Sequence, residues 1–208
     1  MHLTDIPPAL PLWIDGHAYL TVTPAFLDVC NPRSGEVLRR IPLCAAEEVN
    51  KALASAQGAL AAWAAVSAAQ RRRLLADTGD ALAAYVDHFV RLIADETGDE
   101  ALAGEEVANA IAVLRDPAGD DAAAADVLAV VGDARHPLVT ALRLVVAALL
   151  GGSTVVVRPC PEAPSALLAL AELASRCALP PGVFNIVYGG DATVAGLRAV
   201  AGLDVVPA

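Results

Sequence analysis

Residues 126–158 read DVLAVVGDARHPLVTALRLVVAALLGGSTVVVR and decide the fold class of this chain. DVLAVV (126–131) and STVVVR (153–158) are short runs rich in β-branched residues, whereas the segment from Pro137 to Leu150 is typical of a helix. Gly151-Gly152 separates that helix from the second run. Two continuous apolar strands joined by a helix indicate a parallel sheet that is covered on both faces.

The same alternation of strand and helix continues through residue 206. A helix from about Pro164 to Cys177 is followed by VFNIVYG (183–189), by a helix from about Ala192 to Val200 and by LDVV (203–206). Strands that alternate with helices of this length are typical of Rossmann-like architecture. We therefore predict an α/β fold of three layers, with a parallel sheet of about four strands.

The first 115 residues follow a different pattern. Residues 12–43 alternate apolar and polar positions around the turn NPRSG (31–35), which predicts short antiparallel strands. Apolar residues then recur every three or four positions, which predicts long helices at about 47–63, Ala68–Asp95 and Ala103–Leu114.

The breaker DPAGDD (116–121) separates the two patterns. We predict one domain over residues 1–208, with N-terminal strands and helices in 1–115 and a Rossmann-like half in 126–208. The whole sequence has no internal repeat and no low-complexity tract beyond its enrichment in alanine.

Composition excludes several classes of protein. The chain carries 14 Lys+Arg against 24 Asp+Glu, a formal net charge of −10, so it lacks the basic surface that nucleic acids and anionic membranes require. Its most apolar stretch, Leu144–Val157, contains two glycines and is too short to cross a bilayer. Its four cysteines form no CxxC pair, which argues against a disulfide framework and a zinc site. We expect a soluble, cytoplasmic protein without a metal site.

Several stretches together resemble one enzyme family. They are WIDG (13–16), NPRSGEVLRRIPL (31–43), the helical segment 70–111 and most of the segment from Pro137 to Leu197. This combination resembles the NAD(P)-dependent aldehyde dehydrogenases, within which the methylmalonate-semialdehyde branch is one candidate. The resemblance covers most of the chain and implies the N-terminal part of that family's cofactor-binding domain.

The resemblance also implies which catalytic groups are missing. In the family, the nucleophilic cysteine and the general-base glutamate lie downstream of the position of Ala208, and an asparagine after a Pro-Trp pair donates to the oxyanion hole. The corresponding stretch here reads VGDARHPL (131–138) and has no asparagine. Losing one oxyanion donor costs about 2.7–4 kcal/mol of barrier, and losing the nucleophile removes the covalent route. We expect a truncated pseudoenzyme that does not oxidise aldehydes and that binds either a nucleotide, weakly, or a protein partner.

Five residues are candidate contacts for a dinucleotide, and we expect weak NAD(P) binding with no cofactor required. The family's strand-end motif Lys-Pro-Ser-Glu holds the adenosine ribose; here it reads Arg158-Pro159-Cys160-Pro161, which keeps the cation and loses the carboxylate, although Glu162 follows. Gly189-Gly190, with Asp191 and Ala192, resembles the next family loop, where the backbone passes the adenine. The implied contacts are Arg158, Pro159, Gly189, Gly190 and Ala192. Arg158 as a solvated cation, and the glycines as a plain turn, remain the alternatives.

The alternative function is a non-redox enzyme that reuses the same cleft for acid/base chemistry on a small-molecule ligand, with a biosynthetic pathway as its expected setting. His136 falls in the loop after the first Rossmann strand, at the carboxyl end where an acid or base would sit. The candidate catalytic residues are Asp133, His136 and Glu162, with Arg158 beside them. A solvated loop histidine is the alternative for His136, and a gene fragment that still folds is the alternative for the whole chain.

Other residues are assigned structural roles. Cys160 is expected to pack rather than react, and Cys30, Cys44 and Cys177 are expected to fill the core. His88 and the run Arg71-Arg72-Arg73 are expected on the surface.

We expect a homodimer, because the strand Leu203–Val206 leaves an open apolar edge and hydrophobic residues make up 56% of the chain. Alternatively, a local rearrangement or the N-terminal residues 3–12 cover that edge. The stretch between Leu114 and Val127 is shorter than in the family, so the resemblance implies that the family's oligomerisation strands are absent there.

Overall fold

A computed structural model describes residues 7–118 and 125–208. The strands in this part are β1 (Leu12–Ile14), β2 (His17–Tyr19), β3 (Phe26–Cys30), β4 (Val37–Pro42), β5 (Val127–Val131), β6 (Thr154–Arg158), β7 (Phe184–Ile186) and β8 (Asp204–Pro207). The helices are α1 (Ala46–Ala64), α2 (Ala68–Ala84), α3 (Val86–Thr97), α4 (Glu100–Arg115), α5 (Val139–Leu150), α6 (Ser165–Arg176) and α7 (Asp191–Arg198).

The main sheet has the strand order β2-β1-β7-β6-β5-β8 within the described residues. The four strands β7, β6, β5 and β8 are parallel, with Val157 opposite both Val130 and Ile186. The predicted α/β class and its parallel strands are confirmed. The strand β1 joins the same sheet as an antiparallel neighbour of β7, whereas β3 and β4 form a separate hairpin.

The sheet lies between two layers of helices. The helices α5 and α6 pack against it on one side, and α2, α3 and α4 pack against those two helices. The helix α1 contacts β5, β6 and β7, and it also contacts α7. Every residue of β6 is buried, as expected for a central strand covered on both faces. This arrangement brings the carboxyl ends of β5, β6 and β7 to one edge of the sheet.

The predicted helix Ala68–Asp95 is two helices, so that prediction is wrong. Tyr85 ends α2 and precedes α3, with its backbone N–H donating to the Leu82 carbonyl at 2.9 Å. The sequence has no glycine or proline at this break, and its apolar periodicity continues across it. The pattern therefore predicts one helix where the structure has two. The next helix begins earlier than predicted because Asp99 caps it, accepting from the Leu102 backbone N–H at 3.0 Å. Of the breaker DPAGDD, residues 119–121 lie outside the described residues.

Three predicted side-chain placements are also wrong. Arg71 is buried, and its Nε donates to the Leu150 carbonyl at 2.7 Å, at the C-terminal end of α5. A second donor, Nη1, reaches the Val66 carbonyl at 2.6 Å. Cys30 is exposed on the hairpin rather than in the core, and Cys177 is only half-buried. His88 is exposed, as predicted.

The segment before β1 lies against the hairpin. Ala9 bridges Arg40 of β4, and the Leu10 N–H donates to the Arg40 carbonyl at 2.8 Å. The described part of residues 3–12 therefore pairs with β4 and does not cover β8.

The division of the chain at residues 115 and 126 stays a prediction. Within the described ranges, no helix has the length and apolar character needed to span a membrane.

Candidate functional site

Three loops meet at the carboxyl edge of the parallel strands, where open α/β sheets bind ligands. They follow β5 (132–138), β6 (159–164) and β7 (187–190). Backbone hydrogen bonds extend the sheet into these loops: the Gly132 N–H donates to the Arg158 carbonyl at 2.8 Å, and the Val187 N–H donates to the Val157 carbonyl at 3.0 Å. The candidate residues from different strands are therefore neighbours at one edge.

Arg158 is tied to the loop after β7. Its side chain is buried, and its Nε donates to the Gly189 carbonyl at 2.8 Å. Burial lowers the pKa of Arg158, while the nearby carboxylates of Glu162 and Asp191 act in the opposite direction. Arg158 is therefore not the solvated cation of the alternative interpretation. Two predicted cofactor contacts, Arg158 and Gly189, are in direct contact.

Gly189 and Gly190, the two glycines of this loop, differ in the space that a side chain would have. Gly189 has a φ of +144°, and a Cβ there would lie 1.9 Å from Thr193 Oγ1. Thr193 in turn donates to the Cys44 carbonyl at 3.1 Å, so it has little freedom to move. Gly190 caps α7 and has open space around its Cα. Packing thus explains Gly189 without a ligand, but it does not explain Gly190.

The other predicted cofactor contacts and the candidate acidic residues differ in how far they are buried. Pro159 is buried under the edge, whereas Ala192 is exposed on the first turn of α7. Asp133 Oδ1 accepts from the Arg135 backbone N–H at 3.2 Å, and Glu162 is exposed. In the described parts of the chain, no hydrogen bond or ion pair joins Asp133, His136 and Glu162 to one another.

His136 has a partner that sequence reasoning missed. Its Nδ1 lies 2.9 Å from Oε1 of Glu106, a buried carboxylate on α4. Oε2 of the same carboxylate accepts the backbone N–H groups of Leu138 and Val139, at 2.9 and 2.8 Å, where α5 begins. The available signal was spacing: Glu106 lies three residues after Ala103 and four residues before Ala110, on the same face of the helix as these two buried residues.

A second buried glutamate, also missed, lies beside the β6 loop. Glu96 of α3 accepts from the backbone N–H of Ser165 at 3.1 Å and from its hydroxyl group, at the start of α6. Arg39 Nε lies 3.2 Å from Glu96 Oε1, near enough for an ion pair but without the direction of a hydrogen bond. Burial raises the pKa of Glu96 to about 6, although Ser165 and Arg39 favour its charged form.

None of the buried thiols is activated. Burial raises the pKa of Cys44 to about 12 and that of Cys160 to about 11, because an apolar environment disfavours the thiolate. The packing role predicted for Cys160 is confirmed by its burial. Burial also raises the pKa of Cys177. Across residues 7–118 and 125–208, no group of three or more His, Cys, Asp or Glu side chains is placed to hold a metal ion.

Comparison with known proteins gives one consistent result. Residues 21–131 and 135–206 match the model of the "Aldehyde dehydrogenase family". The NADP(+) succinate-semialdehyde dehydrogenase GabD of Escherichia coli K12 is 28% identical over 81% of this chain and 39% of its own length. The glutarate-semialdehyde dehydrogenase of Pseudomonas aeruginosa is 28% identical over 88% of this chain and 41% of its own length.

Solved structures agree with these relatives. The lactaldehyde dehydrogenase of Escherichia coli superimposes with a TM-score of 0.83 at 27% identity, over 96% of this chain and 47% of that one. PnpE from Pseudomonas sp. WBC-3 gives a TM-score of 0.85 at 26% identity, over 95% of this chain and 46% of that one. The chain thus spans less than half the length of these relatives. Relatives named for different semialdehydes match equally well, so the comparisons do not single out a branch.

Proposed function

The chain belongs to the aldehyde dehydrogenase family, and we propose that these 208 residues bind an NAD-type dinucleotide weakly at the carboxyl edge of β5–β7 without oxidising aldehydes themselves. The curated relatives are dehydrogenases, one of them named for NADP(+). The family connection is the reason to expect a dinucleotide rather than another ligand. The local contacts are the reason to expect low affinity.

The observation that carries the proposal is the hydrogen bond from Arg158 Nε to the Gly189 carbonyl. This bond holds the Arg158 guanidinium beside the turn at Gly189-Gly190. A dinucleotide site needs the two groups together, because the cation would contact the ribose and the turn would lie beside the adenine. Gly190 adds open space at the start of α7, where a ligand could approach the backbone closely.

Three features support weak binding. Pro161 stands where the family motif has its ribose-binding carboxylate. Glu162 and Asp191 place negative charge near the Arg158 guanidinium, which disfavours a phosphate group. Burial of Arg158 also leaves it less able to reorient toward a ligand.

Two features support the absence of aldehyde oxidation by these residues. A covalent route needs a thiolate, and Cys44 and Cys160 are buried thiols with raised pKa values. The stretch VGDARHPL (131–138) carries no asparagine that could donate to an oxyanion.

Isothermal titration calorimetry with NAD and with NADP tests the proposal. We expect weak binding that Arg158→Ala reduces by ~1.5–3 kcal/mol, the range for a charge-assisted contact. Arg176→Ala, which changes an exposed arginine in the last turn of α6, away from the three loops, is the control and leaves binding nearly unchanged. Micromolar binding that is indifferent to Arg158→Ala would place the dinucleotide elsewhere, and steady NADH production from an aldehyde would refute the inactivity.

A non-redox enzyme is the second candidate function, and one observation favours it. Of Asp133, His136 and Glu162, only His136 contacts a buried carboxylate, that of Glu106. A histidine held in this way has the arrangement that acid/base catalysis uses.

A further inference from the structure

We propose that a cavity between α3 and α6 binds a free α-amino acid with an aromatic side chain. The cavity has a volume of about 180 Å³ and lies beside the C-terminal half of α6, whereas the three loops of the dinucleotide site lie at the other end of that helix. The proposal is therefore independent of dinucleotide binding. The lining of the cavity includes Tyr85, His88, Phe89, Glu172, Leu173 and Arg176.

The α3 side of the cavity supplies three rings. Tyr85, His88 and Phe89 are spaced by three and four residues, so they share one face of the chain at the start of α3. The rings of His88 and Phe89 meet edge to face, with their centroids 5.8 Å apart. Phe89 is buried, whereas Tyr85 is 50% exposed. The cavity therefore offers an aromatic wall that a ligand can reach from solvent.

The α6 side of the cavity supplies one charge of each sign. Glu172 and Arg176 lie four residues apart and form an ion pair, in which Arg176 Nη2 donates to Glu172 Oε1. Their side chains are 46% and 66% exposed, respectively, so both charges are accessible to a ligand. Leu173 lies on the same face of α6 and is buried, which extends the apolar surface of the cavity beneath the ion pair.

This pair of charges selects the class of ligand. An anion would be attracted by Arg176 and repelled by Glu172, and a cation would meet the reverse. An α-amino acid carries an ammonium group and a carboxylate on the same carbon atom. It can therefore pair its ammonium group with Glu172 and its carboxylate with Arg176 at the same time, through charge-assisted hydrogen bonds. Its side chain then packs against the aromatic wall.

The size and surroundings of the cavity agree with this ligand. Sites for drug-sized molecules enclose ~300–1,000 Å³, so a cavity of about 180 Å³ suits a molecule with a single ring and is too small for a dinucleotide. Asp87 and Arg91 lie on the far side of His88, where Arg91 Nε donates to the Asp87 carbonyl at 3.1 Å. These two residues again add one charge of each sign and leave the local balance unchanged.

The first experiment compares four probes by calorimetry on the full chain. Phenylalanine carries the ring and both charges, whereas 3-phenylpropionate lacks the ammonium group, phenethylamine lacks the carboxylate and alanine lacks the ring. We expect phenylalanine to bind about 10-fold or more tightly than each of the other three, because each lacks one of the contacts. Equal affinity for any of the three, or no binding of phenylalanine at millimolar concentration, overturns the proposal.

The second experiment repeats the phenylalanine titration with variants. We expect Glu172→Gln and Arg176→Gln each to weaken binding about 10-fold, because each removes one charge-assisted contact from an exposed position. Glu47→Gln is the matched control: it changes an exposed glutamate at the start of α1, across the sheet from α6, and leaves binding unchanged. Unchanged binding in Glu172→Gln, or equal weakening in Glu47→Gln, overturns the proposal. Arg158→Ala should leave phenylalanine binding unchanged, which separates this outcome from that of the dinucleotide site.

Discussion

Glu96 and Ser165 are joined by two hydrogen bonds, through which a carboxylate on α3 accepts both the backbone N–H and the hydroxyl group at the start of α6. Glu106, on the next helix, binds the first N–H groups of α5 in the same manner. Free helix N-termini bind phosphate through these N–H groups. The two helices that follow β5 and β6 are therefore already capped by the protein's own carboxylates, which leaves the start of α7 as the open helix end at this edge.

Glu96 gives folding stability a pH dependence. Its pKa is raised from 4.5 to about 6 in the folded protein, so the native state binds the proton more tightly than the unfolded chain. The contribution is complete below pH 4.5 and is lost as the pH rises through 6, on the order of 2 kcal/mol in all. Urea denaturation from pH 4.5 to 7 should show this loss in the parent and not in Glu96→Gln.

Glu105→Gln is the control for that experiment, since Glu105 is an exposed carboxylate on the same helical layer. It should retain the parent's pH dependence. Parallel curves for the parent and Glu96→Gln would mean that Glu96 does not titrate in this range.

Gly189 and Gly190 should respond very differently to alanine. A Cβ on Gly189 meets Thr193 at 1.9 Å and requires a positive φ, whereas a Cβ on Gly190 meets nothing. We expect Gly189→Ala to lower the free energy of unfolding by ~2–4 kcal/mol through strain and overpacking. Gly190→Ala should stay within about 0.5 kcal/mol of the parent. Equal effects in urea denaturation would contradict the described turn.

The arginine run offers a second matched pair. Arg71 is buried with its donors on backbone carbonyls, whereas Arg73 is exposed and pairs with Asp77. Arg71→Ala leaves the carbonyl groups of Leu150 and Val66 without these donors, so we expect a loss of about 1–3 kcal/mol for each buried carbonyl group. Arg73→Ala should cost less than about 1 kcal/mol, as is usual for exposed pairs. Thermal denaturation that shows equal losses of stability in Arg71→Ala and Arg73→Ala would contradict this prediction.

The homodimer stays a prediction, and the sheet suggests where the two copies meet. Among the described strands, β8 pairs only with β5 and so forms one edge of the main sheet. Val205 and Val206 on this strand are only half-buried. An exposed edge of this kind can pair with a second copy through a two-fold axis. Light scattering at micromolar concentration should give about twice the 21.2 kDa of the chain; a constant 21.2 kDa at every dilution would exclude the dimer.

The amino-acid sequence by itself determined the features that depend on local pattern. The β-branched runs at β5 and β6 are too short for helices, and they are separated by a helix-length apolar segment, so a parallel sheet follows from their spacing. The residues that resemble the aldehyde dehydrogenases were equally readable, because a motif is a property of the sequence. For the site, this was enough to predict that Arg158, Gly189 and His136 lie at one edge.

Only the tertiary structure decided which charged side chains are buried and what they contact. Arg71, Glu96 and Glu106 each lie in helices where a polar residue would be expected on the surface, yet each meets backbone groups far away in the sequence. Helical periodicity shows which residues share a face, but it does not show which helix end lies opposite that face. The stability of a buried charge depends on those distant partners, because an unpaired charge in the interior is too costly to remain ionised. The Glu106–His136 contact is therefore a consequence of how α4 packs beside the start of α5.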